Sequence, residues 1–206
     1  MERAIEKESK IIAVVAPEDL ENLKVIEEAE RIDLAKFILV GDKDKIKKII
    51  EKNKLKIKAE IIDEKDHSKA ANMAVDLIEN KEADTLMKGM LHSSSFLKAV
   101  LNKEKSLNTG NHITQISVLE KENNEGLMFI TDCAITVNPD LLGKKEIIEN
   151  AVSLAHDIGI EKPKVAVLAS VEVINPNMQE TIDAAVLSKM AERGQIKGCE
   201  IDGPFA

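Results

Sequence analysis

Short apolar runs recur along this chain, each followed by a polar turn and a longer segment of helical period, and that alternation narrows the possible folds more than any other feature. "IIAVVA" (11–16) reads as a buried strand, and "PEDLENLKVIEEAERI" then puts Leu20, Leu23, Ile26 and Ala29 on one helical face. "KFILVG" (36–41) is the next strand, with Gly41 opening the turn into "DKDKIKKIIEKN". "AEIID" (59–63) precedes "HSKAANMAVDLIENK", where Ala70, Met73, Leu77 and Ile78 share a face, and "DTLMKG" is a fourth strand. Strands spaced by helices cannot pair as hairpins. They pair in parallel, and the helices cover both faces of the sheet, so the fold class is α/β.

The rhythm breaks once. "ITQISVLE" (113–120) and "GLMFITDCA" (126–134) are strand-like runs joined only by "KENNEG", too short for a helix, so they form an antiparallel hairpin. The α/β pattern then resumes with a long helix (141–159), the strand "KVAVLAS" (164–170) and a helix over 177–194. Two subdomains are expected, 1–134 and 135–206, the second incomplete. The ending "IKGCEIDGPFA" reads as a strand and a turn with no covering helix, which leaves Ile201 facing nothing and points to a chain that stops early.

Composition excludes several functions. The net charge of −8 and the absence of Trp and Tyr argue against nucleic acid, which needs cations and stacking platforms. The longest apolar runs are strand-sized and "MERAIEKESK" has no secretory apolar core, so no membrane association and a cytoplasmic location are expected. Cys133 and Cys199 lie far apart with no CxxC, and His67, His112 and His156 show no ligand spacing, so no metal is expected. His156, on a helix, reads as a packing or surface residue.

Three loops could carry chemistry, each at the carboxyl end of a predicted strand, where open α/β sheets bind ligands. In "KGMLHSSS" (88–95), Ser93, Ser94 or Ser95 can cap the helix that follows. Its first N–H groups form an anion site, to which the hydroxyls add donors, Lys88 a cation and Gly89 close backbone approach. The reading favours phosphate over a capped, solvated loop. The Gly-Lys-Ser/Thr order of a Walker loop is missing. In "TDCAITVNPD" (131–140), Asp132 can cap a turn, bind a cation or accept a proton, and Cys133 reads as a small buried hydrophobe with no activating His nearby. "ASVEVINPNM" (169–178) repeats the pattern of strand end, polar loop and Asn-Pro with Ser170, Glu172 and Asn175. Arg193, Gln195 and Lys197 fall between a helix and a strand, on the opposite side, where structural or subunit contacts are expected.

The segments "LMKGMLHSSSFLKAVLNKE", "SLNTGNHITQISVLE", "MFITDCAITVNPDL", "IIENAVSLAHDIGIEKPKVAVLASVEVINPNM" and "TIDAAVLSKMAERGQIKGCEIDGPFA" resemble the phosphate acetyl/butyryltransferase family, its butyryltransferase branch above all. The resemblance implies two α/β subdomains with a cleft between them, similar to the isocitrate/isopropylmalate dehydrogenase fold, in a homo-oligomer. It implies reversible transfer of a short acyl group between coenzyme A and inorganic phosphate, by direct thiolate attack on an acyl phosphate. Coenzyme A is then a substrate and no cofactor is needed. The partners are acyl-CoA and phosphate or acyl phosphate. On that reading the catalytic candidates are Asp132 and His92, and the substrate-binding candidates Lys88, Gly89, Ser93, Ser94, Ser95, Asn138, Ser170 and Asn175. Family members continue beyond "DGPFA" into a segment with a Ser-Arg pair and an acidic region tied to substrate binding and thiol deprotonation. The rival expectation is therefore an incomplete, weakly active chain that keeps anion binding and subunit contacts. An oxidoreductase of the related fold is disfavoured by the missing dinucleotide glycine fingerprint and aspartate cluster.

Overall fold

Strand β1 (Lys10–Val15) lies inside a four-stranded parallel sheet, flanked by β2 (Ala35–Gly41) on one edge and β4 (Thr85–Lys88) on the other, with β3 (Glu60–Asp63) beyond β2. The computed structural model describes residues 9–105, 107, 110–122 and 126–206, which form two compact units, Met1–Gly110 and Asn111–Ala206. In the first unit, side chains of β1 alternate between two cores. Ala13 and Val15 pack with helices α3 (His67–Glu79) and α4 (Ser93–Val100), while Val14 packs with α1 (Leu20–Arg31) and α2 (Lys43–Asn53). Register carries the pattern across the sheet: Val14 pairs with Leu39 and Val15 with Val40, and each pair lies in the same core. Both faces are therefore buried, as the apolar strand runs require.

Helices α1, α2 and α3 begin at aspartates whose carboxylates accept backbone N–H groups of the first turn: Asp19 from Asn22, Asp42 from Lys45, and Asp66 from Ser68 and Lys69. Helix α4 has no such cap, a difference that matters for the site below.

The second unit contains the hairpin β5 (Ile116–Glu120) and β6 (Leu127–Thr131), antiparallel with Val118 opposite Phe129 and Leu119 opposite Met128. Part of its connection, residues 123–125, lies outside the described residues. Helix α5 (Leu141–Asp157) follows, then β7 (Lys164–Leu168), α6 (Gln179–Glu192) and β8 (Glu200–Phe205), which pairs in parallel with β7. The boundary between the compact units at 110/111 falls earlier than the expected 134/135, because the hairpin belongs with the elements that follow it and β6 packs on α5.

Two expectations about the ending need correction. Strand β8 runs through Gly203 and Pro204 instead of turning there. A Cβ at Gly203 would meet the Val167 carbonyl oxygen at 2.7 Å, so glycine is what allows β8 to lie against β7. Ile201 does not face empty space. It packs with Ile148 and Val152 of α5, Leu187 of α6 and Ile196. No helix among the described residues is long and apolar enough to cross a membrane.

Leu39 is fully buried at the centre of the first sheet. Leu39→Ala should lower the unfolding free energy by about 3 kcal/mol, measured by urea denaturation. A loss below about 1 kcal/mol would show that the site collapses around the cavity, contrary to a packed core.

Candidate functional site

The loop after β4 is fastened to the end of β1. The N–H of Gly89 donates to the Val15 carbonyl at 2.8 Å, and that of Met90 to the Ala16 carbonyl at 2.6 Å. A Cβ at Gly89 would lie 2.2 Å from the Ala16 oxygen and 2.7 Å from the Val15 oxygen. Glycine is therefore demanded by the neighbouring strand, whereas the sequence offered closeness to a ligand as the reason. The Lys88 ammonium bends over the same loop, donating to the carbonyls of Leu91 (3.0 Å) and Gly89 (3.3 Å). Two of its three N–H donors are thus occupied and one remains.

Helix α4 starts one residue earlier than a serine cap would place it. His92 takes the N-cap position, its carbonyl accepts from Ser95 and Phe96, and its exposed side chain makes no capping bond. Ser93, Ser94 and Ser95 consequently occupy the first helical turn. The N–H groups of Ser93 and Ser94 have no acceptor among the described residues, and both side chains are exposed. Two free amides, adjacent hydroxyls and a fixed ammonium make an anion-accepting edge.

Glu18, which sequence reasoning missed, stands at the same edge of the sheet. Its Oε1 accepts the N–H of Asp42 at 2.8 Å and lies 3.6 Å from His67 Nε2, while Oε2 is buried with no partner among the described residues. It braces the turn after β1 against the turn after β2. The only signal in the sequence was its place directly after the strand-ending Ala16-Pro17.

In the second unit, Asp132 holds together the loop after β6. Its Oδ1 accepts the N–H groups of Ala134 and Ile135, both at 3.0 Å, and its Oδ2 accepts the N–H and hydroxyl of Thr136 at 3.2 and 3.0 Å. Burial pushes the carboxyl upward, but the N–H groups of Ile135 and Ala134, the Thr136 hydroxyl and the Gln115 backbone outweigh it and hold the pKa at about 2. So weak a base, with its oxygens already engaged, is suited to shaping the loop, the turn-capping role among the three open to it. Cys133 is exposed, not buried as expected, because it sits in this loop just beyond the strand end. Asn138 adopts the left-handed backbone (φ +50°) just ahead of Pro139 and α5.

Asn138 also lines a cavity of about 530 Å³ at the start of α5 and α6. Its polar wall adds Asp140, Lys144, Gln179, Glu180 and Asp183, none of which the sequence singled out. Lys144 Nζ donates to Asp183 Oδ2 at 2.6 Å and Gln179 Nε2 to Asp183 Oδ1 at 2.8 Å, tying α5 to α6. Burial raises the Asp183 carboxyl, and the bonds from Lys144 and Gln179 outweigh that and leave it below its ordinary value. Ser170 reaches this cavity only through Glu180, whose Oε1 accepts its hydroxyl at 3.2 Å. Asn175 is spent on its own turn, with its N–H donating to the Thr181 hydroxyl and its side-chain oxygen accepting from Asn177.

Away from these loops, His156 is an exposed residue whose ring packs on Gly198. Its Nε2 lies 2.9 Å from the Gly198 carbonyl, and its ring occupies the space a Gly198 side chain would need. Among the described residues, no group of three or more His, Cys, Asp or Glu is placed to hold a metal ion.

Residues 64–206 match the model of a family described as phosphate acetyl/butaryl transferase. The chain belongs to that family. It is 46% identical to the phosphate butyryltransferase of Clostridium acetobutylicum, over 97% of this chain and 67% of that one. It is 36% identical to the phosphate acetyltransferase of Thermotoga maritima, over 96% of this chain and 67% of that one. A branched-chain phosphotransacylase from Enterococcus faecalis shares the fold, with a TM-score of 0.77 at 21% identity, across 96% of this chain and 68% of the other. The chain thus spans about two thirds of the length of these relatives.

The Asp132 carboxylate gives a pH signature. Its folded pKa of about 2 lies below the ordinary 3.8, so its contribution to stability is full above about pH 4 and disappears as the pH falls towards 2. Asp132→Asn should therefore be less stable than the parent at pH 6, with the gap closing between pH 4 and pH 2 in urea melts. A gap independent of pH would mean that the charge plays no part.

Proposed function

We propose that this family member moves a short acyl group, butyryl or similar, between coenzyme A and inorganic phosphate. The thiolate of coenzyme A attacks the carbonyl carbon of an acyl phosphate, the C–S bond forms, the C–O bond to phosphate breaks, and inorganic phosphate leaves. The free amides of Ser93 and Ser94 beside Lys88 are the observation that carries this reading, together with 46% identity to a phosphate butyryltransferase. A phosphoryl group needs donors that do not have to reorganise as charge moves onto the leaving oxygen, and a helix start with a pinned ammonium supplies them.

The remaining residues take supporting roles in this scheme. Ser93, Ser94 and Ser95 add hydroxyl donors around the phosphoryl oxygens, and Gly89 fixes the loop. Exposed His92, next to these donors, is the candidate for proton handling near the leaving phosphate. Asp132 is a positioning residue that shapes the loop leading to Asn138. Direct attack requires no nucleophile from the protein, so exposed Cys133 is a bystander. Coenzyme A enters as a substrate and the scheme calls on no cofactor.

The cytoplasm, where acyl-CoA and phosphate are available, is the proposed location. A homo-oligomer is proposed as the working form, supported by the hairpin, which exposes Leu119, Met128 and Ile130.

Replacing Ser93 and Ser94 together by Ala should raise the KM for phosphate at least tenfold and leave that for acyl-CoA within about twofold, in an assay of thiol release from butyryl-CoA. Equal effects on both substrates would remove the Ser93 and Ser94 hydroxyls from phosphate binding. Cys133→Ser should retain more than half of the turnover, and an acyl group trapped on Cys133 would overturn direct attack.

A further inference from the structure

We infer that Glu18 is a positioning residue for the phosphate edge, acting through the Ala16 carbonyl that holds the loop after β4. The inference rests on the acyl-transfer reading above and adds a residue that touches no substrate in that scheme yet sets how tightly phosphate is held.

The two carbonyls that fasten the loop are not fixed in the same way. Val15 ends β1, and pairing with β2 and β4 on either side sets the direction of its carbonyl. Ala16 lies one residue beyond the strand with a φ of +53°, a left-handed backbone that a residue with a Cβ keeps only where its surroundings impose it. In that conformation its N–H donates to the Val40 carbonyl at 2.8 Å, and its own carbonyl accepts the Met90 N–H at 2.6 Å. The bond to Met90 therefore depends on whatever keeps Ala16 left-handed.

Glu18 is placed to do so. Its side chain is 6% exposed, and its Oε1 accepts the Asp42 N–H at 2.8 Å, which clamps the turn after β1 onto the end of β2. Pro17, fully buried, links Ala16 to Glu18, and its locked φ leaves few torsions through which that restraint could be lost. Two glycines mark the path. A Cβ at Gly41 would lie 2.6 Å from Glu18 Oε1, and one at Gly89 2.2 Å from the Ala16 oxygen. On one side of β1 the missing side chain admits the brace, and on the other it admits the carbonyl that the brace directs. Glu18 Oε2 has no partner among the described residues, and His67 Nε2, 3.6 Å from Oε1, is beyond hydrogen-bond reach. The side chain thus acts through one accepted bond, which an uncharged amide could also make.

The test uses the full chain and two readouts: amide hydrogen exchange without substrate, and the KM for phosphate and for butyryl-CoA. In Glu18→Ala the Met90 amide should exchange about tenfold faster, while that of Gly89, bonded to Val15, keeps its protection. The KM for phosphate should rise about fivefold and that for butyryl-CoA stay within about twofold. Glu18→Gln, whose side-chain carbonyl can accept from Asp42, should match the parent in both readouts. Gly41→Ala keeps Glu18 but pushes its carboxylate off the Asp42 N–H, so it should reproduce the Glu18→Ala pattern, and it decides the matter where Glu18→Ala fails to fold. A purely structural side chain would lower the active fraction and hence kcat, with both KM values unmoved. That result, or Met90 exchange unchanged in these two variants, would overturn the inference. Failure of the acyl-transfer reading looks different: the parent chain would give no turnover of butyryl-CoA with phosphate, yet Met90 would still loosen in Glu18→Ala.

Discussion

Strand β1 is hydrogen-bonded along both edges and buried on both faces, and the first unit is arranged around that confinement. A strand so enclosed cannot shift register without exposing Val14 or Val15, and its last carbonyls therefore stand at fixed points. Val15 and Ala16 give their carbonyls to Gly89 and Met90, which puts the loop after β4 in a place set by the sheet. The functional geometry inherits the rigidity of the core. The helix start at Ser93 is accordingly presented by a scaffold and not by a freely moving connection.

The two units handle charge in different ways. In the first, three helix starts are capped by aspartates and α4 is left uncapped, so its amide donors are available where Lys88 adds positive charge. In the second, Asp132 and Asp183 are both saturated by internal donors and act as braces, one within a loop and one between helices. Carboxylates thus organise structure where their oxygens are filled, whereas Asp140 and Glu180 each keep one oxygen open.

Much of this was legible in the residues themselves. The parallel sheet followed from strand-sized apolar runs separated by helical ones, and the hairpin from a connection too short for anything else. The loop after β4 stood out because Lys, Gly and three Ser lay between a strand and a helix. Local patterns could not show what depends on distant partners. Gly89 is shaped by the carbonyls of Val15 and Ala16, Ile201 is covered by α5 and α6, and Lys144 meets Asp183 across two helices. The cap lies at His92 and not at Ser93, Ser94 or Ser95, because a serine and a histidine N-cap differ by hydrogen bonds that spacing does not reveal. Cys133 was misjudged for a related reason: cysteine is usually buried, and only the loop path shows that this one is not.

The two backbone bonds from Gly89 and Met90 also bear on the order in which the chain acquires its shape. Strands β2 and β3 and helices α1 to α3 lie between β1 and β4 in the chain, yet β4 must join β1 before those bonds can close. Contacts between distant segments form late, because the entropy of closing the intervening loop is lost before they compensate it. A nascent chain that has emerged only as far as α3 can assemble β1, β2 and β3 and bury most of one core, but it lacks β4 and the loop after it. During synthesis the loop after β4 is among the last parts of this unit to take form, because it waits for the final strand to reach its place.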